Sequence, residues 1–247
     1  MQRSTKKLMT RGRNLDKTVL WLCVAALVIL SILVWWFFLG GASLAEQKKM
    51  EMYLKDKYGK EFVVGKPERK ASGLGVEGYL EAEAYPKDDS SLKFEVRSSS
   101  TATSDEYAGA TWAREEKARL NPTVKKLFGN SNYKIEVVTS FTLQSQGINM
   151  QGSVINLNDG AAAYGHKIAY TLDIFSNSIP NDEQKNSIAK NIIFLDSNIP
   201  YDIDVTLEYT SKISDHKVYG VSLGRDFIRK STPEEIAKQF REFEVTQ

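Results

Sequence analysis

An uncharged apolar run over residues 18–39, TVLWLCVAALVILSILVWWFFL, constrains this chain more than any other stretch of its sequence. As an α-helix, its 22 residues would span about 33 Å, enough to cross a hydrocarbon layer about 30 Å thick. A helix in a soluble core is apolar on one side, whereas this run is apolar all round. The sequence therefore predicts a single transmembrane helix over residues 18–39, with the lipid bilayer as its partner.

The charges on either side of the run predict its orientation. Six basic residues and one acidic residue precede it, and the next charge is Glu46. Because positive flanks stay in the cytoplasm, residues 1–17 are expected to be a basic cytoplasmic tail. The alternative is a cleaved signal peptide, since Ser43 and Ala45 offer a possible cleavage site. The run is much longer than the usual signal core of about 7–15 residues, which favours an anchor retained in the plasma membrane.

The chain beyond the tail is mildly acidic. It holds 27 of the 33 basic residues and 30 of the 31 acidic ones, a net charge of −3. A nucleic-acid-binding domain needs a basic face that neutralises phosphates, so no nucleic-acid partner is expected. The single cysteine, Cys23, falls inside the apolar run. We therefore expect neither a disulfide nor a cysteine-based zinc site outside the membrane.

Hydrophobic patterning predicts two α+β units outside the membrane, over residues 44–143 and 166–247. Apolar residues at helical spacing indicate helices, and alternating residues indicate strands. The first unit is expected to hold helices over residues 44–58, 105–120 and 122–129 and strands over residues 62–64, 79–85, 92–96 and 133–141. The second is expected to hold strands over residues 166–174, 201–209 and 218–223 and helices beginning at Asn181 and Thr232.

Three helix starts carry residues that cap helices. Ser104 and Asn181 each precede an acidic residue in a first turn, which suits the positive end of a helix. Thr232 is followed by a proline and, three residues later, by Glu235, which is a capping box. This last helix is expected to bury Ile236, Phe240 and Phe243.

The arrangement of the predicted elements indicates the fold class. Strands with one polar face are typical of antiparallel sheets with helices packed on one face. Residues 144–165 are rich in Gly, Asn and Ser without a period, so we expect a loop or a boundary there. Tyr58-Gly59 and Phe128-Gly129 stand at similar helix-to-strand turns, which favours two related units. By analogy with subunits of secretion or conjugation channels, these units are expected to be of cystatin- or NTF2-like type. The sequence leaves open whether the units form one domain or two.

Two short motifs match catalytic or ligand-binding signatures but lack their context. Residues 73–78 match GxGxxG, yet a strand is predicted after them where a dinucleotide site needs a helix. Ser90 with Lys93, and Ser214 with Lys217, match the SxxK pattern of serine acyl-enzymes. The companion SDN and KTG motifs of those enzymes are missing. We interpret the first motif as a turn region and both SxxK matches as chance.

The remaining candidate residues are histidines and paired aspartates. His166 and His216 are the only histidines, and a zinc site needs three or four ligands. The pair at residues 88–89 is expected in a turn, and Asp202 and Asp204 on the solvent face of a strand. We therefore predict no catalytic, cofactor-binding or metal-binding residue, no cofactor, and no enzymatic activity.

Residues 49–141 carry a spaced pattern that resembles a known group of proteins. Its motifs are Tyr53-Leu54-x-x-Lys57-Tyr58-Gly59-x-x-Phe62-x-Val64, then Lys93-Phe94-Glu95-Val96, a helix around Tyr107 and Trp112, and Leu127-Phe128-Gly129. In these motifs the chain resembles uncharacterised exported or membrane-anchored proteins of Gram-positive-type bacteria. The resemblance implies an α+β domain outside a bacterial plasma membrane. It implies no activity and no site residue.

Three interpretations of the function remain. The leading one is a membrane-anchored, extracytoplasmic, non-enzymatic module that binds an envelope or membrane protein. The second is a structural subunit of a secretion or conjugation apparatus, in which a basic tail, one membrane helix and an α+β domain follow in this order. The third is an envelope hydrolase with an unrecognised carboxylate site, for which Asp202 and Asp204 are the best candidates. The sequence leaves the ligand and the oligomeric state open.

Overall fold

The computed structural model describes residues 19, 21–22, 24–31, 42–70, 78–129, 131–139, 150–214 and 217–244. The chain divides into two compact units, residues 1–49 and 50–247. In the first, residues 24–31 are helical, and their large apolar side chains are exposed; Leu27, for example, is 65% exposed.

The described residues include no helix that is both long and apolar enough to cross a membrane. The predicted basic tail lies outside the described residues, as do residues 18, 20, 23 and 32–39 of the predicted span. The transmembrane helix over residues 18–39 therefore stays a prediction.

The first sheet is antiparallel throughout. It holds β1 (Phe62–Val64), β2 (Glu68–Lys70), β3 (Tyr79–Pro86), β4 (Phe94–Ser98) and β5 (Thr103–Asp105). Its order is β1-β3-β4-β5, and β2 pairs with the other end of β3. Helix α1 (Ala42–Tyr58) precedes it and ends at Gly59, which adopts the positive φ of +70° that glycine tolerates best.

One face of the first sheet forms a core with α1. Met50, Leu54 and Tyr58 recur every four residues on α1 and are buried, which is the spacing of one helix face. They pack with residues of β1, β3 and β4 and with Tyr107 at the start of the next helix. Four rings of this core lie with centroids 4.7–5.9 Å apart: Tyr58, Phe62, Phe94 and Tyr107.

A single long helix, α2 (Tyr107–Phe128), follows the first sheet. The prediction of two helices, over residues 105–120 and 122–129, is wrong, because α2 continues through Pro122. An internal proline removes one helix hydrogen bond, but Leu120 and Val124 on either side of it are both buried in one core. Ser104 lies in β5 and is not the cap of this helix.

The rest of the described chain forms a second sheet and its helices. The elements are β6 (Asn132–Thr139), α3 (Leu157–Tyr164), β7 (Ile168–Ser176), α4 (Asp182–Ser197), β8 (Asp204–Ser214), β9 (Lys217–Gly224), α5 (Arg225–Lys230), α6 (Pro233–Ala237) and β10 (Arg241–Glu244). The sheet is mixed, with the order β10-β9-β8-β7-β6. Among these described strands, β7 and β8 are parallel and the other pairs are antiparallel. The prediction of antiparallel sheets is therefore wrong for this pair, because a whole helix, α4, separates β7 from β8 and carries the chain back across the sheet.

Along the chain, the boundary between the two sheets lies at α2 and not at the Gly- and Asn-rich stretch 144–165. Strand β6, assigned from the sequence to the first unit, pairs with β7. The stretch itself holds α3, whose Asn156 cap accepts a hydrogen bond from the Asp159 backbone N–H, and whose Leu157 and Ala161 are buried. Residues 140–149 lie outside the described part of the chain.

The predicted C-terminal helix is shorter than expected. Its capping box is confirmed, since Thr232 accepts from the Glu235 backbone N–H and the Glu235 side chain accepts from that of Thr232. The helix α6 ends at Ala237, however, and residues 241–244 form β10 against β9. Phe240 is still buried, but Phe243 lies on a strand. The fold is α+β, with two sheets of different topology.

Candidate functional site

Asp105, at the end of β5, is a buried carboxylate with four hydrogen-bond donors around it. Its side chain is fully buried. Its Oδ2 accepts from the Tyr53 hydroxyl at 2.9 Å and from Lys57 Nζ at 2.8 Å, and its Oδ1 from the Tyr58 hydroxyl at 2.8 Å and the Tyr107 backbone N–H at 3.0 Å. These bonds join α1 to β5 and α2, and we refer to the five residues as the Asp105 cluster.

The hydrogen bonds of the Asp105 cluster hold three elements of the fold together. Burial, followed by the nearby Asp105 charge, raises the pKa of both Tyr53 and Tyr58 above the ordinary tyrosine value. Both hydroxyls therefore stay protonated and donate to the carboxylate. Tyr53, Lys57 and Tyr58 all belong to the spaced pattern of α1, so this pattern has a structural explanation.

A second buried carboxylate, Glu116 on α2, joins three elements. Arg119 binds it through Nε and Nη2, and the Tyr201 hydroxyl donates to its Oε1 at 2.7 Å. The Tyr170 hydroxyl lies 3.4 Å from Oε2. Burial and the Glu116 carboxylate raise the pKa of Tyr201 to about 12. This carboxylate is also committed to holding the fold.

A third buried carboxylate, Asp196, is shared between two arginines of α5. Asp196 lies near the end of α4 and its side chain is 5% exposed. Arg225 Nε donates to Oδ1 at 2.8 Å, and Arg229 Nε donates to Oδ2 at 3.1 Å. Arg225 also donates to the carbonyls of Ile199 and Tyr201. The guanidinium of Arg225 is thereby fully engaged in joining α4, α5 and the loop between α4 and β8.

A cavity of about 430 Å³ adjoins this third carboxylate, and we call it the Arg229 pocket. Pockets of about 300–1,000 Å³ with apolar walls and a few polar groups are typical ligand sites. Asp196 and Arg229 supply the charges of the Arg229 pocket, and Arg229 is 55% exposed. The remaining lining is apolar or hydroxylic: Ile193, Ser197, Ile199, Pro200, Ile228 and Ser231. This combination makes it the candidate functional site.

Two other depressions are more open or more charged. One, of about 630 Å³, lies on the outer face of the first sheet among paired charges such as Lys93–Glu83 and Lys70–Glu81. The other, of about 440 Å³, lies between β4, α2 and β6. Gly109 lines this second depression. A Cβ added to Gly109 would stand 2.1 Å from the Val137 carbonyl oxygen, so the Gly109 backbone packs closely against β6. The first is lined mainly by charged side chains, and the second is the more open of the two.

The open face of the second sheet carries two neighbouring carboxylates, Asp173 on β7 and Glu208 on β8. They are direct register partners. Burial first, and then the charge and hydrogen bond of Glu208, raise the pKa of Asp173 to about 6. Glu136 adds to this effect and Lys134 opposes it. Near neutral pH, the two carboxylates therefore repel each other in the folded state.

We expect Asp173→Asn to stabilise the full-length protein at pH 8. The pKa of Asp173 is about 3.9 in an unfolded chain and about 6 when folded. Its contribution therefore destabilises the fold increasingly as the pH rises from about 4 to about 6. For this half-exposed group, solvent screening reduces the gain to about 1 kcal/mol or less. Melting curves of the variant and wild type at pH 8 and pH 4.5 test this, and the gain must shrink at pH 4.5.

The exposed Asp202 provides the control for this prediction, because Asp202→Asn makes the same chemical change away from Glu208. It is expected to shift the melting temperature little at either pH. Equal shifts for the two variants, or a gain for Asp173→Asn that does not depend on pH, would contradict the carboxylate pairing.

The structure does not bring the candidate residues identified from the sequence together in one site. Asp89 accepts from Ser91 and pairs with Arg114, and these bonds lower its pKa to about 2. Lys93 pairs with Glu83 and not with Ser90. Asp202 and Asp204 are exposed, before and at the start of β8. Residues 73–77, His216 and the side chains of His166 and Ser214 lie outside the described part of the chain.

The residues of the Arg229 pocket were missed by the sequence analysis. Asp196 follows Ile188 and Ile192 at four-residue spacing and so lies on the apolar face of α4. This spacing could have indicated from the sequence that its charge is buried. Nothing in the sequence indicated its partners, because Arg225 and Arg229 lie 29 and 33 positions further along.

Comparison with known proteins identifies no family. No protein-family model matches the chain, and no curated protein matches it. Among solved structures it is similar to a DUF5037 family protein from Ruminococcus gnavus ATCC 29149, with 15% sequence identity and a TM-score of 0.37. The similarity covers 80% of this chain and 89% of that one. A likeness this weak carries no argument about function.

Proposed function

We propose that this chain is a single-pass membrane protein whose residues 50–247 form a non-enzymatic binding domain outside the plasma membrane. The observation that carries the proposal is the uncharged apolar run over residues 18–39, with basic residues on its N-terminal side only. The exposed apolar side chains of residues 24–31 support it, because apolar surface of this kind requires a cover of lipid or protein.

The arrangement of buried charges supports a binding role rather than a catalytic one. Asp105, Glu116 and Asp196 are the buried carboxylates of the described residues. Each accepts hydrogen bonds from groups on other elements, so each serves the fold. A buried carboxylate used as a catalytic acid or base would face a cleft with its proton free to move. The Arg229 pocket instead offers a fixed cation and apolar walls, which suit recognition of a ligand.

The membrane anchor is tested by placing charges at the centre of the run. We expect the full-length protein to stay in the membrane fraction after an alkaline carbonate wash. The double variant Leu27→Arg with Leu30→Arg is expected to lose this association, because each arginine at the centre of a span costs about 2.5–3.5 kcal/mol. The matched control is Leu44→Arg with Met52→Arg, which changes two exposed apolar residues outside the run and is expected to remain in the membrane.

Orientation and partners are tested with the same full-length protein. A C-terminal tag is expected to be cleaved by protease added outside intact spheroplasts, and a cross-linked pulldown is expected to recover envelope or membrane proteins. Soluble wild-type protein, or a protected tag, would contradict the proposed anchor and orientation. Robust turnover of a peptide, ester or glycan by the full-length protein would contradict the non-enzymatic role.

A further inference from the structure

We infer that the Arg229 pocket binds a carboxylate carried on a short branched aliphatic group. This inference rests on the proposed binding function and adds the chemical class of the ligand. Two kinds of ligand carry such a group: a free small acid, and a peptide whose C-terminal residue is aliphatic. The argument depends on the charge balance of the pocket, on the geometry of its arginine and on the character of its walls.

The cluster of Asp196, Arg225 and Arg229 carries one more positive charge than negative. Among the described residues that line the pocket, Asp196 is the only acidic one, and it lies between the guanidiniums of Arg225 and Arg229. The buried Arg225 neutralises it at 2.8 Å and uses its other two nitrogens on the carbonyls of Ile199 and Tyr201. The charge of Arg229 is therefore in excess, and an anion would balance it.

The geometry of Arg229 presents two donors to this anion. Within the described part of the chain, its hydrogen bonding is confined to Nε, which donates to Asp196. That bond holds the guanidinium plane at the pocket, while the side chain is 55% exposed. The two Nη groups form the fork that matches the two oxygens of a carboxylate. An arginine fixed in this way loses less conformational entropy when a ligand binds.

The walls select a ligand with an apolar part next to its charge. Ile193 and Pro200 supply the accessible aliphatic surface of the lining, since Ile199 and Ile228 are each only 1% exposed. A hydrated anion such as inorganic phosphate would leave this surface uncovered, whereas a branched alkyl group would cover it. The cavity of about 430 Å³ is at the small end of ligand pockets. A short acid, or the last one or two residues of a peptide, therefore fits its chemistry best.

Binding is measured on the full-length protein in detergent micelles, by calorimetry and by ligand-observed NMR. The probes are 3-methylbutanoate and its neutral amide, and the peptide Ala-Gly-Leu-Leu with a free or an amidated C-terminus. We expect each carboxylate to bind at least about tenfold more tightly than its amide, since charge-assisted hydrogen bonds are about twice as strong as neutral ones. Comparing the acid with the peptide then distinguishes the two sources.

Arg229→Gln is expected to weaken carboxylate binding by about tenfold or more and to leave amide binding unchanged. The matched control is Lys230→Gln, which removes one positive charge from the next, exposed residue and is expected to retain full affinity. Ser231→Asp is a second pocket variant, because it places a competing carboxylate at the wall, and it is expected to weaken carboxylate binding at least as much as Arg229→Gln does. A cooperative thermal unfolding transition in each of the three variants shows that it is folded.

Equal affinity for acid and amide, no binding of any probe, or unchanged carboxylate affinity in Arg229→Gln would overturn the inference. These outcomes are separate from a failure of the proposed function. If fractionation and pulldown succeed while the probes fail, the ligand class is wrong and the anchored binding domain stands. If the probes bind while the protein is soluble, the pocket stands and the anchor is wrong.

Discussion

Asp105→Ala is expected to lower the free energy of unfolding by about 3–5 kcal/mol, the cost of breaking a buried ion pair by removing one partner. The substitution leaves Lys57, 12% exposed, without its carboxylate, together with the hydroxyls of Tyr53 and Tyr58. Because domains are stable by only about 5–15 kcal/mol, this loss is a large share of the total. Chemical or thermal unfolding of the full-length protein measures it.

Two further variants separate the charge of Asp105 from its hydrogen bonds. Asp105→Asn keeps an acceptor oxygen in place, so we expect a smaller loss, of about 1–3 kcal/mol. Asp88→Ala removes an exposed aspartate in the turn between β3 and β4 and is expected to change stability by less than about 0.5 kcal/mol. If Asp105→Ala behaved like Asp88→Ala, the Asp105 cluster would not hold α1 on the sheet.

The position of the cluster also predicts where the protein becomes more mobile. Its bonds fasten α1 to the first sheet, whereas the second sheet has its own core. In Asp105→Ala, amide hydrogen exchange is therefore expected to accelerate more in α1 and in β1–β5 than in β6–β10. Uniform acceleration across both sheets would mean that the two cores unfold together.

Local features of this fold could be predicted from the sequence because they depend on near neighbours. The helix caps at Asn181 and Thr232 and the glycine ends of α1 and α2 each involve residues within a few positions. Alternating patterns likewise located β1, β3, β4, β6, β7, β8 and β9, whereas the short strands β2, β5 and β10 were not predicted. These features depend on local backbone hydrogen bonds and on the burial of one face of an element. Both are indicated by the spacing of residues that are close in the sequence.

The features that were missed depend on partners far apart in the chain. The parallel pair β7–β8 has the same one-sided pattern as an antiparallel pair, so alternation alone did not distinguish them. Glu116 recurs at four-residue spacing with Trp112, Leu120 and Val124 and is buried with them. Its partner Tyr201 lies 85 positions away. The Arg229 pocket was missed for the same reason, because its lining combines residues of α4, of α5 and of the loop that follows α4, which are far apart in the sequence.

Trp112→Ala is expected to destabilise the second core by about 3–5 kcal/mol. Trp112 is fully buried, and its indole N–H donates to the Ile155 carbonyl at 2.8 Å. The substitution removes the largest side chain of that core and leaves the carbonyl without its donor. Phe194→Ala, which truncates a half-exposed aromatic residue on α4, is the control and is expected to cost far less.

The contact between Trp112 and Gly160 allows a second test of how Trp112 packs in this core. A Cβ at position 160 would stand 2.7 Å from Cζ2 of the indole ring, so Gly160→Ala alone is expected to cost about 1–3 kcal/mol through overpacking. In the double variant with Trp112→Ala, the ring is gone and the new methyl group fills part of the cavity, so the second substitution is expected to cost nothing or to stabilise. A double-mutant cycle measures this coupling. Strictly additive losses would show that the indole ring does not pack on α3 at Gly160.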